Sequence, residues 1–179
     1  MDTLKMIREL IEREGGYCND GADAGGETCY GVTVAEARCN GYQGAMRDLP
    51  LQFAVEIYTR KYWTGPRFSD VVHISQAVAE ELFDTGVNCG PATASQFLQR
   101  ALNALNDCGK LYADIAVDGA LGPASLTALR TYIEKRGKPG ETVLLRALNA
   151  LQGHHYLTLA ERKPSQERFM FGWFLNRVG

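Results

Sequence analysis

No apolar run in the chain approaches the roughly 18 to 20 residues that a membrane-spanning helix requires, so insertion into a bilayer is not expected. The start, Met1-Asp2-Thr3-Leu4-Lys5, lacks a basic stretch followed by an apolar core, and no cleavable export signal is legible in it. Synthesis in the cytoplasm is the expectation, with lysis or a separate delivery route needed for any target beyond the membrane. Excess charge is missing as well. A formal net charge of -2 supplies no global positive field with which to grip nucleic acid or an anionic surface, and nucleic acid is not expected as a partner.

Metal-binding patterns are equally scarce. The five cysteines, Cys18, Cys29, Cys39, Cys89 and Cys108, form no C-x-x-C pair and have no histidine at ligand spacing, which argues against a zinc site. His154 and His155 are neighbours that diverge by about 100° on a helix, so they do not chelate one ion and read as surface or partly packed residues. His73 stands alone. Asp118-Gly119-Ala120-Leu121-Gly122-Pro123 lacks the alternating carboxylates and late glutamate of a calcium loop and reads as a turn opening a helix. No metal and no cofactor are expected. Cys18 and Cys29 leave two readings open, a bond in an oxidising compartment or free thiols.

What the chain does contain is helical periodicity. At 179 residues and 45% hydrophobic content it is large enough to bury a core without staples, as one compact domain or two small ones. A first helix is expected from about Asp2 or Thr3 to Glu14, ended by Gly15-Gly16; Thr33 is expected to cap a short one over Val34 to Cys39. Pro50 opens another with Phe53, Ile57 and Tyr58 on one side, and Gly65-Pro66 ends it. Further helices are expected over about Ser75 to Gly86 and from Pro91, where Ala94, Phe97, Leu98, Ala101, Leu102 and Leu105 recur at three- and four-residue intervals. After the Asp118 turn, a helix runs through Leu129 and Ile133. Gly137-Lys138-Pro139-Gly140 reads as a linker-like break before a helix over about Glu141 to Leu159. The last helix starts at Pro164-Ser165, with Phe169, Trp173, Phe174 and Val178 on its apolar side. The fold class expected is mainly α, with at most a short β-element near residues 28–34.

Chemistry concentrates near the start. Ile7, Leu10 and Ile11 precede Glu14 by seven, four and three positions and share its helical face, whereas Glu9 and Glu12 fall on the other side. Glu14 is thus expected to point inward. A carboxyl group held against apolar surface has its charged form disfavoured, which suits it to donate a proton near neutral pH. The loop that follows is rich in glycine and short polar residues, from Asn19 to Gly31, and carries Asp23, Glu27 and Thr28. Glu27 is a further candidate for a second carboxylate, with a capping or solvated residue as its other reading. For Asp23 two readings stay open, a partner of Glu14 or a cap for its own glycine turn.

Glu14-Gly15-Gly16-Tyr17, Asp23-Ala24-Gly25-Gly26-Glu27-Thr28 and Tyr30-Gly31-Val32-Thr33 resemble the N-terminal signature of glycoside hydrolase family 108, bacterial and phage N-acetylmuramidases with a lysozyme-like fold. Tyr58-x3-Tyr62-Trp63 and Asn88-Cys89-Gly90-Pro91 fit the same pattern, and Gln99 through Val117-Asp118-Gly119 to Leu129 resembles its peptidoglycan-binding-like companion. Gly172-Trp173 with Asn176-Arg177-Val178 resembles the usual ending. The resemblance implies a catalytic region at 1–90 and a helical peptidoglycan-binding-like region at 91–179. It implies hydrolysis of the β-1,4 bond between N-acetylmuramic acid and N-acetylglucosamine, with Glu14 as general acid, on peptidoglycan glycan strands as the partner. A holin or secretion system would deliver the enzyme to the wall, and a monomer is expected. By analogy of spacing with phage-type lysozymes, Asp23 and Thr28 would hold the attacking water. Tyr17, Tyr30, Tyr62 and Trp63 are the aromatic candidates for sugar contact, with Asn88 and Gln99 supplying amides; Tyr58 and Trp173 are assigned to the core. Two alternatives stand beside this reading, a lytic transglycosylase using Glu14 alone and a non-catalytic wall-binding or secretion-accessory module.

Overall fold

The computed structural model describes residues 3–19 and 26–178, and at residues 3, 4, 13 and 14 it describes the helical backbone only. The chain divides into two compact units, 1–61 and 62–179. In the first, helix α1 (Thr3–Glu14) places Ile7 and Ile11 at zero exposure. Each such burial contributes about 2 kcal/mol. Glu9 and Glu12 lie on the exposed side, as the periodicity requires. α1 packs against α3 (Leu51–Thr59), whose Val55, Ile57 and Tyr58 are buried. Between them lie three two-residue strands, β1 (Tyr17–Cys18), β2 (Thr28–Cys29) and β3 (Val32–Thr33), in an antiparallel sheet of that order. Helix α2 (Val34–Cys39) follows at once, and the Thr33 side chain accepts the Glu36 amide at 3.2 Å as its N-cap.

The protein is mainly α with a small β-element. β1 lies outside the expected 28–34 stretch, because a two-residue strand has no alternation to read.

The second unit is built of helices α4 (Phe68–Val71), α5 (Gln76–Cys89), α6 (Pro91–Ala104), α7 (Pro123–Arg162) and α8 (Glu167–Arg177). A π-helical turn at Arg60–Thr64 contains the boundary between the units. The core of the second unit gathers Phe68, Val78, Leu82, Leu98, Leu102, Leu129, Leu144 and Leu148. Gly86 admits the Phe68 ring, whose Cε2 lies 2.9 Å from where a Cβ would stand.

The break expected at 137–140 is present: within α7 (Pro123–Arg162) the backbone leaves helical geometry at Gly137 (φ 59, ψ -153), a positive φ that suits glycine, and two helices meet there at a kink. Tyr132 donates to the Gly140 carbonyl at 3.0 Å, and Ser75, the N-cap of α5, donates to Glu141 at 2.7 Å, so the kink is packed and bonded rather than free. The last helix is preceded by a 3-10 turn at Pro164–Gln166, and α8 itself has no fully buried residue. Trp173 is therefore half-buried, stacked on Tyr156 at 4.8 Å, instead of sitting in the core.

Candidate active site

α1 ends at Glu14, Gly15 turns the chain at φ 83, and β1 begins two residues later. The candidate acid thus stands at a helix terminus directly before the sheet. Nothing beyond backbone position is described for Glu14, and Asp23 lies outside the described residues.

The strand register decides which side chains share a face. Tyr17 pairs with Cys29 and Cys29 with Val32, while Cys18 pairs with Thr28 and Thr28 with Thr33. Directly opposed residues lie on the same face of a sheet, so Cys29 and Val32, both buried, mark the inner face, and Thr28, half-buried, belongs to the other. Cys18 and Cys29 consequently project to opposite faces, and both are free thiols. Burial pushes the Cys29 thiol up in pKa, away from reactivity.

Tyr30 and Gly31 form the two-residue turn between β2 and β3, with φ values of 54 and 72. Such a turn matches the strand twist, but a tyrosine there is uncommon and needs support. The Tyr58 hydroxyl donates to the Tyr30 carbonyl at 3.1 Å, and the Tyr30 amide donates to the Gly16 carbonyl at 3.4 Å. Together these two bonds tie the turn to α3 and to the segment just after Glu14. Tyr17 donates its hydroxyl to Glu27 Oε1 at 2.6 Å, a bond that raises the phenol's pKa, and Arg47 lies 5.6 Å from its ring centre. Glu27 is a bonding partner for Tyr17 in addition to its place in the loop. Tyr17 and Thr28 thus belong to one small sheet but, by its register, to opposite faces, and Tyr30 stands in its turn.

The remaining candidates belong to the second unit. Tyr62 is half-buried in the π turn, and Asn88 is exposed near the end of α5, donating to the Asp84 carbonyl at 2.8 Å. Trp63 is buried edge-on against Phe83 at 5.8 Å, which removes it from the sugar-contact set. Gln99 is corrected too. It is 1% exposed and its amide is fully occupied, donating to Asp118 Oδ1, the Ala120 carbonyl and Ser125 Oγ and accepting from the Gly119 amide. Its task is to hold the turn at 118–125.

One carboxyl group escaped the sequence reading. Glu81 lies on α5 in a polar row with Asp84, Thr85 and Asn88, the i, i+3, i+4 and i+7 positions of one helical face. That spacing was visible in the sequence. Burial and the nearby Asp84 charge push Glu81 up to about 7, against a 3.3 Å bond from the Thr85 hydroxyl that favours the charged form. An acid with a raised folded-state pKa is deprotonated first in the unfolded chain, so stability falls as pH rises from about 4.5 to about 7. Glu81→Gln should therefore raise the thermal midpoint at pH 8 and leave it unchanged at pH 4, as measured by calorimetry.

With this geometry in hand, residues 7–90 match the family model described as Glycosyl hydrolase 108. The chain carries a glycosyl hydrolase 108 domain over those residues. Residues 93–178 match a second model, described as Predicted Peptidoglycan domain, so the protein is a glycoside hydrolase of peptidoglycan. Among curated proteins none matches. The solved structure of Brucella abortus SagA is similar at 22% identity over 94% of this chain and 85% of that one, with a TM-score of 0.61. That likeness bears on the fold alone. The glycosyl hydrolase 108 match takes in the end of α1, the sheet and the α5 polar row, and the peptidoglycan domain match takes in most of α6 together with α7 and α8.

Proposed function

We propose that this protein is an N-acetylmuramidase, cleaving the β-1,4 bond between N-acetylmuramic acid and N-acetylglucosamine. The observation that carries the reading is the family match over residues 7–90, which takes in α1 from Ile7 onward and the sheet that follows it. Glu14 is the general acid: it gives its proton to the glycosidic oxygen as the bond to the anomeric carbon breaks. Asp23 accepts a proton from a water held with Thr28 on the opposite side of the ring, and the hydroxide equivalent adds to that carbon with inversion. Support for Glu14 comes from the phase of α1, where Ile7 and Ile11, seven and three positions earlier, are both buried. Tyr17 and Tyr30 are proposed glycan contacts of the first unit, and Tyr62 and Asn88 are proposed contacts of the second, each considered within its own unit. Residues 1–90 are read as the catalytic region and 91–179 as the wall-binding region. Delivery through a holin or a secretion system, as for an endolysin, completes the reading.

Product analysis tests it. Purified peptidoglycan digested by the protein should yield reducing-end N-acetylmuramic acid in mass spectra, with the inverted anomer appearing first by NMR. A product lighter by one water would show a transglycosylase that works without an attacking water. A retained anomer would remove Asp23 and Thr28 from the water-holding role.

A further inference from the structure

Tyr30 is an unfavourable residue for the place it holds. It is the first of two turn residues with φ values of 54 and 72, where glycine, asparagine or aspartate is favoured and a bulky side chain is strained. The hairpin also leaves its backbone unpaired. Cys29 and Val32 pair across the turn, so neither the amide nor the carbonyl of Tyr30 has a partner within the two strands. Both groups find partners elsewhere in the first unit: the amide donates to the Gly16 carbonyl at 3.4 Å, and the carbonyl accepts the Tyr58 hydroxyl at 3.1 Å. Tyr58 is 8% exposed on α3, the helix against which α1 packs.

The tether ends where the chain leaves α1. Glu14 is the last residue of that helix, and Gly15, at φ 83, and Gly16 follow it. Among the described residues, no atom beyond their chain neighbours lies within 4 Å of where a Cβ would stand on either glycine. Packing around these two positions therefore does not fix the path of the backbone, and glycine restricts its own dihedral angles least of all residues. Hydrogen bonds must fix it instead. The pairing of Tyr17 with Cys29 holds the strand that follows, and the bond from Tyr30 holds the Gly16 carbonyl, two residues from Glu14. At 3.4 Å that bond is long for an amide donor, and it survives only while the strained turn keeps its shape. The Tyr58 hydroxyl, bonded on the other side of the same residue, keeps the turn from swinging away.

We propose that Tyr58 is a positioning residue for glycan cleavage: its hydroxyl, acting through the backbone of Tyr30, fixes the Gly15-Gly16 exit from α1 and with it the placement of the Glu14 carboxyl. Because Glu14 is the acid only under the proposed muramidase reading, the role of Tyr58 rests on that reading. Its effect falls on rate and not on sugar binding, since the ring is buried and the hydroxyl is bonded to a main-chain carbonyl. Proton transfer is sensitive to such placement, and a shift of about 1 Å costs up to about 10²-fold.

The test compares three variants of the full chain on solubilised glycan strands, at a temperature where circular dichroism shows each of them folded. Tyr58→Phe keeps the ring and removes only the hydroxyl; kcat should fall at least about tenfold with KM within about twofold of the parent. Val55→Ala truncates a side chain of the same helix that is 2% exposed, and it should lower the unfolding midpoint at least as far while kcat stays within about twofold. Glu14→Gln, run in parallel, reports whether the acid being positioned is the right one. Parental kcat in Tyr58→Phe beside an inactive Glu14→Gln would overturn the positioning role and leave the acid in place. A kcat loss in Val55→Ala as large as that in Tyr58→Phe, or an effect of Tyr58→Phe confined to KM, would overturn it as well. Full activity of Glu14→Gln would remove the acid reading and the role of Tyr58 with it.

Discussion

A suspension of purified peptidoglycan incubated with the Glu14→Gln variant should stay turbid, the rate of clearing falling by at least about 10²-fold. Glutamine keeps the size and hydrogen-bonding capacity of the side chain but has no proton to give a leaving oxygen. Departure of an unprotonated sugar alkoxide restores most of the barrier that the acid removes. The loss should fall on kcat rather than on binding, since the proton is transferred only in the transition state. Thermal unfolding and circular dichroism of the variant should match the parent, which separates a lost acid from a lost fold. Clearing at the parental rate by a folded Glu14→Gln protein would remove Glu14 from the mechanism and leave the family's chemistry to another carboxyl group, with Glu81 the next to test.

The second large effect is structural and belongs to Gln99. Gln99→Leu should lower the unfolding midpoint of the second unit by roughly 5–10 °C, corresponding to about 2–4 kcal/mol. Leucine has similar volume, so the loss reflects the bonds. The Gly119 amide at 2.9 Å loses its acceptor, and Asp118, the Ala120 carbonyl and Ser125 lose their donor. Asp118 is also held below the usual carboxylate range, first by the Ala120 amide and then by Gln99. Had Gln99 contacted the glycan, the same substitution would raise KM and leave the midpoint in place. Urea or thermal denaturation together with wall-hydrolysis kinetics distinguishes the two.

Helices were legible where the apolar spacing ran long enough to repeat. The stripe of α6, the Thr33 cap and the Val78, Leu82 and Phe83 side of α5 follow directly from the sequence, because burial of one helical face leaves a period that short segments cannot mimic. The small sheet was legible only in part. Its strands are two residues each, and their placement is set by the Tyr30-Gly31 turn and by hydrogen bonds to Gly16 and Tyr58 that no local pattern encodes. Cysteine spacing likewise carried no information on register, which is what sends Cys18 and Cys29 to opposite faces. At the candidate site, the helix phase selected Glu14 from its neighbours. Gln99 and Trp63 went astray because residue type alone cannot tell a side chain that meets a ligand from one that completes the interior.

Gln99 is one member of a longer row. On α6, Asn103 holds both the Ile115 amide and its carbonyl, and Asn106 accepts the Gly109 amide and donates to Asp114. The segment between α6 and α7 has no strand among its described residues, so these amide side chains give its backbone the partners a sheet would otherwise supply. Its conformation is therefore encoded outside itself, in the helix that precedes it. The irregular stretch thus depends for its shape on side chains supplied by α6 and the residues at its end.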